Sequence, residues 1–339
     1  MFVRDITRLF ASLIHGRVRG MFRKPSYYLL TCLVWLMCSG LLIAAMPGNP
    51  QSLPEADEIA QQVYTSAHGG LLRNAISRRK GRDVAVVVNR APLEMRTQGR
   101  KPGVQTFETY VNNSPADSAI KSQQMAILTS GKTKGTGVLL TRYTDSERGS
   151  TISMWLPALR KIRRINEPSH EDVWFGTNLT YGELVLRTPE DEEHELLGVG
   201  KIEACLEVMR LERSEKSRHT LSLPGPQCAH IGKAVYRLKS ATKFKNWWYD
   251  YHVTEIDQRT YAPYRTVYYK NGEKIKTVSV DWQSLDQPDP RITYPRYIYA
   301  ISHGDGKDSM VFVPRTTISL NVELDDSYWS EETLRNYGK

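Results

Sequence analysis

The chain has 339 residues, 40% of them apolar, and a formal net charge of +9. That length allows one large domain or two ordinary ones, and the composition excludes a long disordered span. The charge is uneven: residues 1–26 hold six Lys or Arg against the single acid Asp5, and the chain beyond residue 46 carries 40 basic and 36 acidic residues, a net of +4. Bulk charge therefore gives no reason to expect a nucleic-acid partner.

Tyr27 to Met46, YYLLTCLVWLMCSGLLIAAM, is twenty residues without a charge, just long enough to span a bilayer. A basic region, an apolar run and then the small residues Ala44 and Ala45 also have the layout of a secretory signal. Two readings of residues 1–46 stay open: a signal peptide, for which Met21 is an alternative start, or an N-terminal membrane anchor. Cys32 and Cys38 lie inside the apolar run, so neither resembles a lipid-modified N-terminal cysteine. Either reading carries the chain after residue 46 across the membrane. Residues 47–54, PGNPQSLP, form a linker with three prolines.

A single domain is expected over 55–339. Ser52 and Glu55 have capping-box spacing, and Ala56, Ile59, Ala60 and Val63 recur at helical spacing, which predicts a short amphipathic helix. RRKGR at 78–82 reads as a turn between the first helical region and the first strand, the buried DVAVVV (83–88). TISMWLP (151–157) alternates as a strand, and Pro157 then turns the chain so that RKIRRI (160–165) pairs back on it. In that arm Arg160, Ile162 and Arg164 share one face and Lys161, Arg163 and Ile165 the other, which suits rim or cross-strand charges better than a nucleic-acid groove. The acidic run EDEEHE (190–195) reads as a solvated loop.

Only Cys205 and Cys228 remain beyond the export segment, with 22 residues between them. In an oxidising compartment they are a disulfide candidate; two buried free thiols are the alternative. Short strands are expected around 201–211 and 234–238. Asn271-Gly272 between two β-rich arms is a type I′ hairpin signal, with WWYDYHVTEID supplying a neighbouring strand. TTISLNVEL (316–324) alternates as a last strand, and Ser330 caps a closing helix over SEETLRN. Strands do not alternate with long helices, so a parallel sheet is not expected. The fold class is α+β, mainly antiparallel: a curled, open half-barrel whose short helices cover the concave face.

Catalysis has no support. There is no G-x-S-x-G, H-E-x-x-H, C-x-x-C, P-loop or G-x-G-x-x-G, and the eight histidines are scattered. SHGDGKDS (302–309) holds His303, Asp305 and Asp308, but reads as a hairpin loop rather than a metal site. No metal, cofactor or enzymatic activity is expected.

KGTGVLL (134–140), WLPALRKIRRI (155–165) and FGTNLTYGEL (175–184), in that order and spacing, with the closing ELDDSYWSEETL, resemble the outer-membrane lipoprotein-sorting-like family. These are exported proteins related in fold to the LolA and LolB lipoprotein carriers. Where that family tends to have Gly-Ser-Asp and then Tyr-x-Asp, this chain has Gly176-Thr177-Asn178 and Tyr181-Gly182-Glu183. The resemblance implies an unclosed antiparallel barrel with an apolar concavity under helical lids. It implies a periplasmic carrier or accessory protein for a lipid, lipoprotein acyl chain or similar amphiphile, serving lipoprotein sorting or envelope lipid transport. The alternative is a membrane-anchored periplasmic interaction module that works with an inner-membrane exporter. A monomer is expected, with a lipid ligand, an inner-membrane transporter as partner by analogy, and no nucleic acid. Candidate cavity or lid residues are Ile59, Val63, Trp155, Leu156, Phe175 and Tyr181, each equally readable as plain core. Pro157, Arg160, Arg163, Arg164 and Gly176 mark the motifs and their rim.

Overall fold

The computed structural model describes residues 53–337 except 69, 146, 167 and 168. Residues 1–46, read from sequence as a signal peptide or membrane anchor, and residues 47–52 of the linker lie outside the described residues. Helix α1 (Ala56–Ala67) is followed by β1 (Asn74–Ser77), β2 (Ala85–Arg90), the short α2 (Leu93–Thr97), β3 (Gly103–Asn112), β4 (Ile120–Leu128), β5 (Gly137–Tyr143), β6 (Thr151–Leu156) and β7 (Lys161–Asn166). A connection of short turns leads to β8 (Glu192–Lys201), then β9 (Ala234–Thr242), β10 (Tyr251–Asp257), β11 (Pro263–Lys270), β12 (Glu273–Ser284), β13 (Thr293–Ser302), β14 (Asp308–Phe312), β15 (Ile318–Leu320) and α3 (Glu331–Tyr337). Among the described residues no helix is long and apolar enough to cross a membrane.

All fifteen strands belong to one antiparallel sheet, ordered β7-β6-β5-β4-β3-β2-β14-β13-β12-β11-β10-β9-β8, with β1 set beside β3 and β15. Two meanders, β2 to β7 and β8 to β14, join where β14 pairs with β2. That seam holds Ala85, Val86, Val87 and Val88, all nearly inaccessible to solvent; a strand buried on both faces reads as a continuous apolar run. The end strands β7 and β8 do not pair with one another, so the curled sheet stays open.

The locally coded elements form as their sequences suggest. Asn271 (φ 51°) and Gly272 (φ 79°) both occupy the left-handed region that a type I′ turn demands, joining β11 to β12. Residues 157–160 turn β6 into β7, pairing Trp155 with Ile162 and Leu156 with Lys161. Helix α1 buries Ile59 and Ala60 against Tyr236, Leu238 and Ile256 of the sheet. The loop around SHGDGKDS is the β13–β14 hairpin, and its Asp308 is fully buried, ion-paired to Arg90 at 2.5 Å. Among the described residues no three metal-ligating side chains cluster.

Four expectations are corrected. The acidic run is not a solvated loop: β8 starts at Glu192, whose side chain is buried against Arg187 and His252. Residues 201–211 make one isolated bridge, Leu206 to Gln227, instead of a strand; Ile202 and Leu206 are anchored in the core, and Cys205 is disulfide-bonded to Cys228. The last strand stops at Leu320, because Asn321 (φ 50°) turns the backbone and the Asn74 side chain then takes the Val322 N–H and C=O, each at 2.8 Å. The turn at 78–82 follows a strand, β1, for which sequence pattern offered no sign.

Candidate functional site

The concave face is roofed by two pieces of non-sheet chain. One is the C-terminal end of α1. The other is the connection between β7 and β8, whose Trp174, Leu179, Tyr181 and Leu186 are buried in the main core. Its path depends on two unusual steps. Phe175 (φ 45°) and Gly176 (φ 71°) are both left-handed, a costly pair for which glycine supplies half. At Gly182 a Cβ would lie 2.9 Å from the His170 carbonyl oxygen, so the chains approach too closely for any other residue. Asn178 ties the segment to the β13–β14 hairpin through the Lys307 carbonyl and Ser302 Oγ, both at 3.1 Å.

Between this roof and the sheet lie two adjoining cavities. The first, about 290 Å³, is almost wholly apolar, with Phe107, Val138, Leu140, Trp174, Tyr181 and Ile298 among its walls. The second, about 250 Å³, has Val63 and Tyr64 of α1 on one side and a charged wall on the other. Ala67, His68, Leu184, Pro295 and Ile298 line both, so the two meet beneath the end of α1.

The charged wall is a set of buried, mutually neutralised groups. Arg187 donates to Tyr249 Oη and Tyr268 Oη, both at 3.0 Å, and faces Glu192 at 3.6 Å. Glu192 Oε1 also accepts from Tyr249 Oη at 2.8 Å and meets His252 Nε2 at 3.0 Å. Burial works against the Glu192 carboxylate, but the Arg187 charge and His252 outweigh it and hold its pKa below the ordinary carboxylate range. Lys276 Nζ lies 2.5 Å from Glu183 Oε2, and burial pulls its pKa down against that partner. His68 is pushed down to about 4, first by burial and then by the nearby Arg142. The arrangement can hold an apolar chain against hydrocarbon walls and present polar groups at one end.

Of the residues named from sequence, Val63 and Tyr181 line the cavities. Ile59 faces the sheet in a separate small core. Trp155 is half-buried in a cluster on the opposite face of the sheet, beneath α3, and Leu156 ends β6 beside the turn. Phe175 packs against Trp174 in a tilted arrangement, with ring centroids 4.7 Å apart. Pro157 and Arg160 form the hairpin turn; Arg163 is exposed, and Arg164 pairs with Glu331 of α3 at 2.5 Å. Sequence reading did not single out His68, Arg187, Glu192, His252 or Lys276. An arginine directly after the apolar LVL was the one local signal, since the others come together only through the sheet.

Comparison with known proteins agrees with this geometry at the level of fold. A domain named for outer-membrane lipoprotein sorting, from Vibrio parahaemolyticus, superposes with a TM-score of 0.58 at 16% identity, over 83% of this chain and 98% of that one. A DUF1329 family protein from Desulfovibrio piger superposes with a TM-score of 0.59, also at 16% identity, over 82% and 98%. The chain therefore has the lipoprotein-sorting-protein fold that its sequence motifs resemble. No curated protein sequence matches it significantly. By its sequence, the chain belongs to the family whose model, described as "Uncharacterized protein", matches residues 121–336.

Proposed function

We propose that this protein is an exported, periplasmic carrier or accessory protein that holds a lipid, a lipoprotein acyl chain or a similar amphiphile in its concave face, without enzymatic activity. The observation that carries the reading is the apolar cavity of about 290 Å³ roofed by α1 and the β7–β8 connection. Burying an alkyl chain there stabilises a complex by about 0.8 kcal/mol per CH₂, enough for an aqueous compartment to be crossed. Residues 1–46 deliver the chain across the membrane in this reading, and the domain follows the linker at 47–54. The test is native mass spectrometry of protein purified from the cell envelope, with titration of a fluorescent fatty acid. If no lipid co-purifies and no fatty acid binds, the carrier reading fails.

A second reading is favoured by the uncharged run from Tyr27 to Met46: a membrane-anchored module that docks an inner-membrane exporter. N-terminal sequencing of the exported protein separates the two. A start at residue 1 or 21 weakens a free carrier, and a start near residue 47 removes the anchored module.

A further inference from the structure

The two cavities differ in a way that specifies a ligand. His68 Nδ1 lies 2.9 Å from the Tyr64 carbonyl oxygen. A carbonyl only accepts, so Nδ1 carries the proton and Nε2 is an acceptor; among the described residues nothing donates to it, although it is buried. Glu183 lines the second cavity with His68. Its Oε2 accepts from the Thr180 N–H at 2.8 Å and from Lys276 Nζ at 2.5 Å, while its buried Oε1 accepts from no described group. Two residues of one cavity's wall thus each carry a buried acceptor without a donor, and such acceptors are costly.

We propose, building on the carrier reading, that the cavity pair takes a single-chain amphiphile with a neutral polyhydroxy head. The chain lies in the apolar cavity, and head hydroxyls donate to His68 Nε2 and Glu183 Oε1. A carboxylate or phosphate head brings further acceptors to acceptors. A quaternary ammonium brings no donor. If a methylene needs about the volume of one liquid water, roughly 30 Å³, the apolar cavity of about 290 Å³ accepts about ten carbons.

The test is calorimetric titration of the protein as purified from the envelope, using five ten-carbon probes below their micelle concentrations. These are 1-monodecanoylglycerol, decyl glucoside, decanoate, decyltrimethylammonium and methyl decanoate. The glycerol and glucose heads are expected to bind at least about tenfold tighter than the other three, the factor one buried hydrogen bond supplies; the tighter of the two assigns the head as glycerol or sugar. His68→Phe keeps the ring that packs 4.5 Å from Tyr64 and is expected to erase that preference. A native-like circular-dichroism spectrum and melting transition show that the variant has folded, and the probe series on the native chain decides the matter without any variant. The proposal is overturned if methyl decanoate, decanoate or the ammonium binds as tightly as the polyols, or if the polyol preference survives in His68→Phe. Binding without hydroxyl preference leaves the carrier reading standing; binding of no probe removes both.

Discussion

Lys276 Nζ and Glu183 Oε2 stand 2.5 Å apart, with side chains only 6% and 5% exposed. The pair links β12 to the connection that roofs the cavities, so it fixes the roof to the sheet. Removing one member strands a buried charge, which costs about 3–5 kcal/mol, whereas replacing both by apolar groups of similar volume is close to neutral. Lys276→Met alone is therefore expected to lower the urea midpoint strongly, and Lys276→Met with Glu183→Leu to recover most of it. Equal loss in the single and double variants would mean that the pair does not act as a unit.

Gly137, in the KGTGVLL motif, is the place where α3 meets the sheet. A Cβ there would come within 2.8 Å of Leu334 Cδ2, and Leu334 is fully buried with Tyr110, Met125 and Trp329. Gly137→Ala is expected to cost about 1–3 kcal/mol through overpacking. Leu334→Ala is expected to cost about 2–5 kcal/mol through the cavity it leaves. Because the two changes touch, the double variant should be less damaging than their sum, and additive thermal-denaturation values would refute this packing.

The contrast between these two sites explains what could be read in advance. The NG hairpin, the proline-turned hairpin and α1 are coded by residues close in sequence: Asn271-Gly272 needs left-handed geometry wherever it occurs, and α1 needs only its apolar spacing. The charged wall is different. Glu192 sits in an acidic run that local pattern assigns to solvent, and only the β8–β9–β10 pairing brings it to His252, sixty residues away. The same applies to β1, four residues long, held between β3 and β15 by partners distant in sequence. The motifs identified the fold; the lining chemistry depended on register.

Acid should destabilise the protein over a defined window. His68 has a folded pKa of about 4 against 6.5 for a free histidine, so the unfolded chain binds the proton first and stability falls as pH drops from about 6.5 toward 4. His252, shifted down chiefly by burial, acts in the same sense. Glu192, held below its free value of 4.5, contributes stability that is present above that value and lost as pH falls below it. The melting temperature is expected to be level from pH 7 to 8 and to decline below 6.5. His68→Gln should flatten the part of that decline between 6.5 and 4, on the order of 3 kcal/mol. A decline identical to that of the wild type would show that His68 carries none of it.

Cys205 and Cys228 close a loop over 22 intervening residues. Closing a loop of this length restrains the unfolded chain by about 3 kcal/mol. Replacing both cysteines by serine is expected to lower the unfolding free energy by about 2–4 kcal/mol, and a reductant should lower the melting temperature of the native chain but not of the double variant. A reductant effect on the double variant would place the sensitivity elsewhere.

Two residues of α1 separate a roof from a core. Ile59 is wholly buried against Tyr236, Leu238 and Ile256, so Ile59→Asp places an unpaired carboxylate in hydrocarbon and is expected to cost about 3–5 kcal/mol. Val63, one turn on, is half-buried and lines the second cavity. Val63→Asp puts its charge on a wall that already holds polar groups, and is expected to cost less than about 1.5 kcal/mol. Its larger effect should be on binding, because that carboxylate adds an acceptor and its hydration to a space meant for a ligand. Chemical denaturation and fluorescent fatty-acid titration, run on both variants, give the decisive pair of readings. Loss of stability without loss of affinity in Val63→Asp would make α1 an ordinary core helix, whereas loss of affinity at near-native stability identifies its inner face as the surface that a bound amphiphile touches.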